Sequence, residues 1–116
     1  MLGFAISAPG SVPGLTLRAW ALVTVNTGAS PQTIVKSGGT YGVASVTRAS
    51  AGNYTLTTAL AMPDTSTIVQ VLGMHNYPIA VNLSGAQTTT TVQVVTEMNA
   101  TALDPNTQFW IGIYGP

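Results

Sequence analysis

GNYTLTTALAMPD, residues 52–64, decides the fold, because its period is two. Tyr54, Leu56, Thr58 and Leu60 fall on one face and Thr55, Thr57 and Ala59 on the other, the alternation of a half-buried strand. Turn residues bound it on both sides. Pro63 cannot extend a sheet ladder, so the strand is expected to stop there, with Asp64 capping a turn through its side chain; a ligand loop at Met62-Pro63-Asp64 is the weaker reading.

The same period runs through the rest of the chain. TLRAWALVTV (16–25) carries Leu17, Ala19, Ala21, Val23 and Val25 on one face and Trp20 and Leu22 on the other, so it is apolar on both sides. Such a strand must be covered twice. TIVK (33–36) reads as a short strand, SGG (37–39) as a tight turn, and TYGVASVTRA (40–49) as a strand with Tyr41, Val43, Ser45 and Thr47 opposite Gly42, Ala44, Val46 and Arg48. STIVQVLGMH (66–75) alternates around Ile68, Gln70 and Leu72. YPIAVNLS (77–84) is a short strand whose Pro78 suggests a sheet edge or a first residue. TTTTVQVVTEM (88–98) sets Val92, Val94, Thr96 and Met98 against Thr91, Gln93, Val95 and Glu97; NATALDPNT (99–107) is a loop, and QFWIGIYG (108–115) closes with large apolar groups on both faces. Seven or eight short strands at regular spacing, with no helical period, predict an all-β fold: one antiparallel β-sandwich, jelly-roll-like or barrel-like, over residues 17–116, preceded by an arm or anchor over 1–16 rich in Gly, Pro and Ser.

Composition restricts function. Of 116 residues only Arg18, Lys36, Arg48, Asp64, Glu97 and Asp104 are charged, 5% against about 25% in an ordinary soluble domain, while 46% are apolar. A net charge of zero removes the repulsion that keeps copies apart, so association is expected. Three scattered basic residues cannot form a phosphate-binding patch, and neither the dinucleotide nor the Walker glycine pattern is present, which argues against nucleic acid and nucleotides. With no cysteine, disulfides, thiolate metal sites and cysteine nucleophiles are excluded, and three carboxylates with one histidine give acid–base catalysis little material. The expectation is a non-enzyme without cofactor or metal.

MLGFAISAPG (1–10) lacks the basic start of a signal peptide, and no apolar run is long enough to span a bilayer, so the chain is expected to be unexported and not membrane-inserted. The triplets Asn53-Tyr54-Thr55, Asn82-Leu83-Ser84 and Asn99-Ala100-Thr101 fit the glycosylation pattern, but composition alone produces such matches here.

Several of these stretches together resemble a family. Ala19-Trp20, Gly28, Ile34, Val46-Thr47, Gly52-Asn53-Tyr54-Thr55 and Ala61-Met62-Pro63-Asp64 follow the order found in a small β domain of tailed-bacteriophage virion proteins, chiefly tail fibres, head fibres and capsid decoration proteins. The likeness covers residues 18–72, about half the chain, and Asp104 before an aromatic–aliphatic strand is similar too. Ala-Leu-Val follows Trp20 where that family usually has Val-Asn-Phe, and Asn53 stands where Asp is common. The resemblance implies a homotrimer on the virion exterior, made in the host cytoplasm and touching the major capsid protein or other virion proteins. The start at Met1 without a fibre shaft sets the expectation at capsid decoration rather than at the receptor-binding tip of a tail fibre. A secreted carbohydrate-binding module is a third reading, weakened by the missing export signal.

Particular residues follow from these readings. Trp20, Leu22, Phe109, Trp110 and Tyr114 are the candidates for core or subunit interface; a sugar platform on the two tryptophans is the sharper but weaker alternative. Asn26, His75, Asn76, Tyr77 and Asn106 are the candidates for exposed loop contacts with a host receptor. His75, alone of its kind, reads as a loop residue before it reads as a pH switch or metal ligand.

Overall fold

A computed structural model describes residues 14–28, 31–73, 80–105 and 107–116. Residues 1–13 of the expected arm and the loop candidates His75, Asn76, Tyr77 and Asn106 lie outside the described residues. The strands are β1 (Thr16–Thr24), β2 (Thr33–Gly38), β3 (Ser45–Ser50), β4 (Asn53–Thr57), β5 (Ile68–Gly73), β6 (Ala80–Leu83), β7 (Thr91–Met98), β8 (Thr101–Ala102) and β9 (Gln108–Gly115), with no helix among the described residues. They form two antiparallel sheets packed face to face: a first sheet in the order β2-β1-β9-β5 and a second in the order β3-β4-β7-β6, with β8 paired to β7. The chain is therefore all-β, as its period demands.

Between the sheets lies one continuous core. Ala19, Ala21 and Val23 of β1 and Phe109, Ile111 and Ile113 of β9 face Tyr54 and Leu56 of β4 and Val92 and Val94 of β7. The Tyr54 and Phe109 rings meet across the sheets, centroids 4.9 Å apart and tilted by 56°, the offset arrangement that aromatic quadrupoles favour. Small residues on β1 against large ones on β9 fill the space in layers.

Four local readings need correction. Leu17 does not share a face with Ala19: Arg18 is an extra residue in the ladder, since Leu17 pairs with Tyr114 but Ala19 with Ile113. The bulge turns Arg18 inward and Leu17 outward beside Trp20. The strand expected over 40–49 begins only at Ser45. Before it, Gly39 and Gly42 take φ of 99° and 68°, and Tyr41 leaves the ladder to donate its N–H to the Arg18 carbonyl at 2.8 Å.

Leu60 is 63% exposed rather than on the Tyr54 face, because β4 ends at Thr57. The chain then crosses to hydrogen-bond Thr90 and Thr89 through the N–H groups of Thr58 and Met62, and Met62 enters the core in Leu60's stead. The loop at 99–107 contains a hairpin. Asn99 and Ala100 take φ of 54° and 63° between Met98 and its partner Thr101, the pair of left-handed residues a tight antiparallel turn requires.

Candidate functional site

The outward face of the first sheet is the surface that stands apart. Directly opposite residues of antiparallel strands share a face, so the ladders fix its pattern row by row. Leu17, Tyr114 and Ile68 form one row across β1, β9 and β5; Trp20, Gly112 and Gln70 the next; Leu22, Trp110 and Leu72 the third. Of these nine residues only Gln70, the Tyr114 hydroxyl and the two indole N–H groups offer polar side-chain atoms, and none is charged. Ile68, Leu72 and Trp110 are 54, 69 and 41% exposed.

Gly112 stands in the middle of this patch, so its centre is hollow. Trp20, Trp110, Tyr114, Leu17, Gln70 and Leu72 rim an open groove of about 400 Å³ around it. The two indoles lie 5.9 Å apart, tilted by 41°. Trp20 is held down on its other side by Gly38 of β2, where a Cβ would come within 2.8 Å of the indole ring. The Trp20 ring thus lies over Gly38, while Tyr114 and Leu17 are the side chains nearest Gly112.

The second sheet presents the opposite chemistry. Thr47 of β3, Thr55 of β4 and Gln93 of β7 form a cross-strand row of partly exposed polar side chains, and Ser50, Asn53, Ser84 and Gln93 border a concavity of about 340 Å³. At its edge β6 joins β7 through a hydrogen bond from the Asn82 amide to the Glu97 carboxylate.

Two ion pairs fasten the sheets to loops. Arg18, buried by its bulge, donates from Nη1 to Asp64 Oδ1 at 3.0 Å and to the Ser66 carbonyl at 3.1 Å, and from Nη2 to the Pro116 carbonyl at 3.0 Å. Gly115 is where the guanidinium fits: a Cβ there would collide with it. Asp64 also accepts the Ser66 N–H at 2.9 Å, the turn cap its sequence position predicts. The hydrogen bonds from Arg18 and then from Ser66 hold the Asp64 carboxyl below the ordinary carboxylate range.

The other pair sits at the second sheet. Asp104 accepts from Arg48 Nη2 at 2.7 Å, from the Gly52 N–H at 2.8 Å and from the Tyr54 hydroxyl at 2.6 Å. Burial opposes the ionised Asp104, but the Arg48, Tyr54 and Gly52 hydrogen bonds outweigh it and lower the pKa. For Tyr54, burial first and the Asp104 carboxylate second raise the phenol far above its usual value. Arg48 is raised by its hydrogen bond to Asp104. These groups are locked in charge states that suit a scaffold; none is poised near neutrality to move a proton.

The sequence candidates divide accordingly. Phe109 is wholly within the core, whereas Trp20, Leu22, Trp110 and Tyr114 come together on the outer face of the first sheet. Asn26 is exposed, and its loop is braced: its side chain accepts the Gly28 N–H at 3.0 Å, and its backbone exchanges hydrogen bonds with the Gln32 side chain. Sequence reasoning missed that Leu17, Ile68, Gln70, Leu72 and Gly112 complete the patch. The alternation of β5 was legible, but which of its faces points outward depends on its pairing with β9. Among the described residues no three His, Asp or Glu side chains gather to hold a metal ion, and no helix is long and apolar enough to cross a membrane. In comparison with known proteins, no family model, no curated protein and no solved structure matches the chain.

Proposed function

We propose that the protein is a structural component of a bacteriophage virion, a homotrimeric decoration protein seated on the outside of the capsid through contacts with the major capsid protein or its neighbours. One observation carries this reading: a two-layer β fold with almost no charge gathers Leu17, Trp20, Ile68, Leu72 and Trp110 into one apolar patch on the outer face of the first sheet. Patches of this kind on soluble domains mark interaction surfaces. Covering a few hundred square ångströms of it, at about 25 cal/mol per Å², contributes several kcal/mol before association costs. The resemblance of residues 18–72 to fibre and decoration domains supplies the partner class, and the locked ion pairs suit a role that is structural rather than catalytic.

A second reading is the receptor-binding tip of a tail fibre. The polar concavity of the second sheet, bordered by Ser50, Asn53, Ser84 and Gln93, favours it, since uncharged hydroxyls and amides are what a neutral glycan needs.

Binding purified protein to emptied capsids and, separately, to host cells distinguishes the two. Retention by capsids is expected; retention by cells alone overturns decoration in favour of the fibre tip. Light scattering on the eluting protein is expected to give chains in a multiple of three per particle, changing little with salt because the patch holds no charge.

A further inference from the structure

The free edges of the two sheets are not alike. Sheet edges invite pairing with other chains, and proteins blunt them with charge, bulges, proline or a covering segment. On one side of the sandwich both edge strands are protected. In β2, Lys36 is charged and Val35 bulges out of the ladder, since Leu22 pairs with Lys36 and Val23 with Ile34. In β3, Arg48 is charged and Ala49 is the extra residue. Between these strands run Pro31 and Gln32: Pro31 bridges to Thr47, and the Gln32 N–H donates to the Val46 carbonyl at 2.8 Å. On the other side β6 is only four residues long. β5 has none of these devices. Its six residues, IVQVLG, contain no charge and no proline, run in unbroken register with β9, and are paired to β9 alone among the described residues.

We infer that the β5 edge is a second contact of this protein, and that it pairs antiparallel with β5 of another copy about a two-fold axis through Gln70. Antiparallel partners must share a face, which restricts self-pairing to registers with an even sum of residue numbers. The register centred on Gln70 sets Ile68 against Leu72 of the other copy and Leu72 against its Ile68, with Val69 and Val71 likewise opposed on the inner face. It also brings the two Gln70 amides together, where each can donate to the other's oxygen. Every opposed pair is apolar with apolar or amide with amide, and no like charges meet. The two first sheets become one sheet of eight strands, and the apolar patch on each continues across the axis. This contact stands independently of the three-fold assembly proposed above: it links subunits in pairs, and two trimers joined through it with closed symmetry give six chains.

Cysteine cross-linking of the full chain tests it cleanly, because the protein has no cysteine of its own. Under mild oxidation Gln70→Cys is expected to form disulfide-linked pairs at least about tenfold faster than Ile68→Cys or Leu72→Cys alone, whose symmetry mates lie out of reach across the axis. Ile68→Cys combined with Leu72→Cys in one chain should restore linkage. Equal rates for all single variants overturn the register and with it the inference. Light scattering gives a second reading: two or six chains per particle in the unmodified protein, falling to one or three in Gln70→Lys, supports the two-fold contact. One or three chains in the unmodified protein, at every concentration, overturns it. The three-fold proposal fails by a different result, two chains that never become six.

Discussion

Each sheet is tied to a loop by an arginine and an aspartate, yet the two clasps are built in opposite senses. In the first, the arginine is the hub: Arg18 is 1% exposed and satisfies one carboxylate and backbone carbonyls, while Asp64 is 47% exposed. In the second, the aspartate is the hub: Asp104 collects a guanidinium, a phenol and a backbone N–H, and both partners of the pair are about equally buried. The lesson concerns what is stranded when one member is removed. Losing a hub removes several hydrogen bonds at once; losing a rim member removes fewer, and at Asp64 it leaves the buried guanidinium to its backbone acceptors.

The comparison breaks most sharply at Arg18. Arg18→Met keeps the volume of the stem but leaves the Ser66 and Pro116 carbonyls without their donor, and is expected to cost roughly 3–5 kcal/mol in denaturant unfolding. Gly115→Ala should destabilise through the same clasp, since its methyl displaces the guanidinium. Asp104→Ala follows at about 3 kcal/mol, because Arg48, Tyr54 and the Gly52 N–H all lose their acceptor. Asp104→Asn keeps an oxygen for Tyr54 and Gly52 and should recover about half of that loss. A loss from Asp104→Ala below that of Asp64→Ala would show that the aspartate is not the second clasp's hub.

A further substitution tests the turn beneath that hub. Gly52 has φ of 73°, and a Cβ on it would run into the Thr96 carbonyl, which accepts the Leu103 N–H next to Asp104. Gly52→Ala therefore strains the turn where it meets the Thr96 carbonyl and the Leu103 N–H, with an expected loss of about 2 kcal/mol. The distinction from Asp104→Ala lies in Tyr54: its phenol keeps a carboxylate partner in the glycine variant and loses it in the aspartate variant, which tyrosine ultraviolet titration can read.

What the sequence shows and what it hides divide along the same line. The alternation of Tyr54, Leu56 and Thr58, of Val92, Val94 and Thr96, and of the residues around Trp110 is local, so period alone separated the two faces of β4 and of β7, whereas β9, apolar on both faces, did not show by period which one points inward. The bulge at Arg18 is not local. An extra residue in β1 exists only relative to β9, and it inverted the placement of Leu17 and turned a charged side chain into the interior. Asp104 and Tyr54 are 50 residues apart, and Arg18 and Asp64 are 46 apart, so neither clasp has a spacing that a reading along the chain would find. Asp64 as a turn cap was visible because its partner Ser66 is two residues away. The outer patch falls between these cases: its members on β1 and β9 were legible as strands apolar on both faces, but its centre, Gly112, is defined by what it lacks.

The smallest expected effect is at Asp64, and pH sharpens it. Both aspartates titrate below the ordinary 3.8 in the folded protein. A carboxyl with a lowered folded pKa contributes stability that is complete above its unfolded pKa and is lost as pH falls through the folded one. Stability should thus be level from about pH 5 upward and decline below about pH 4. Tyr54 has the opposite sign: its pKa is raised from 10.0, so its contribution is complete below about pH 10 and is lost as pH rises beyond that. Asp64→Asn leaves Arg18 with its backbone acceptors and Ser66 with an oxygen, so unfolding at pH 7 should shift least among these variants, and the acid decline should persist. Asp104→Asn should flatten most of that decline, because a guanidinium, a phenol and a backbone N–H all donate to this carboxylate and favour its ionised form. If instead Asp64→Asn removes the acid sensitivity and Asp104→Asn leaves it intact, the exposed rim of the first clasp governs acid unfolding, and the difference between the two clasps does not rest on the number of donors each carboxylate collects.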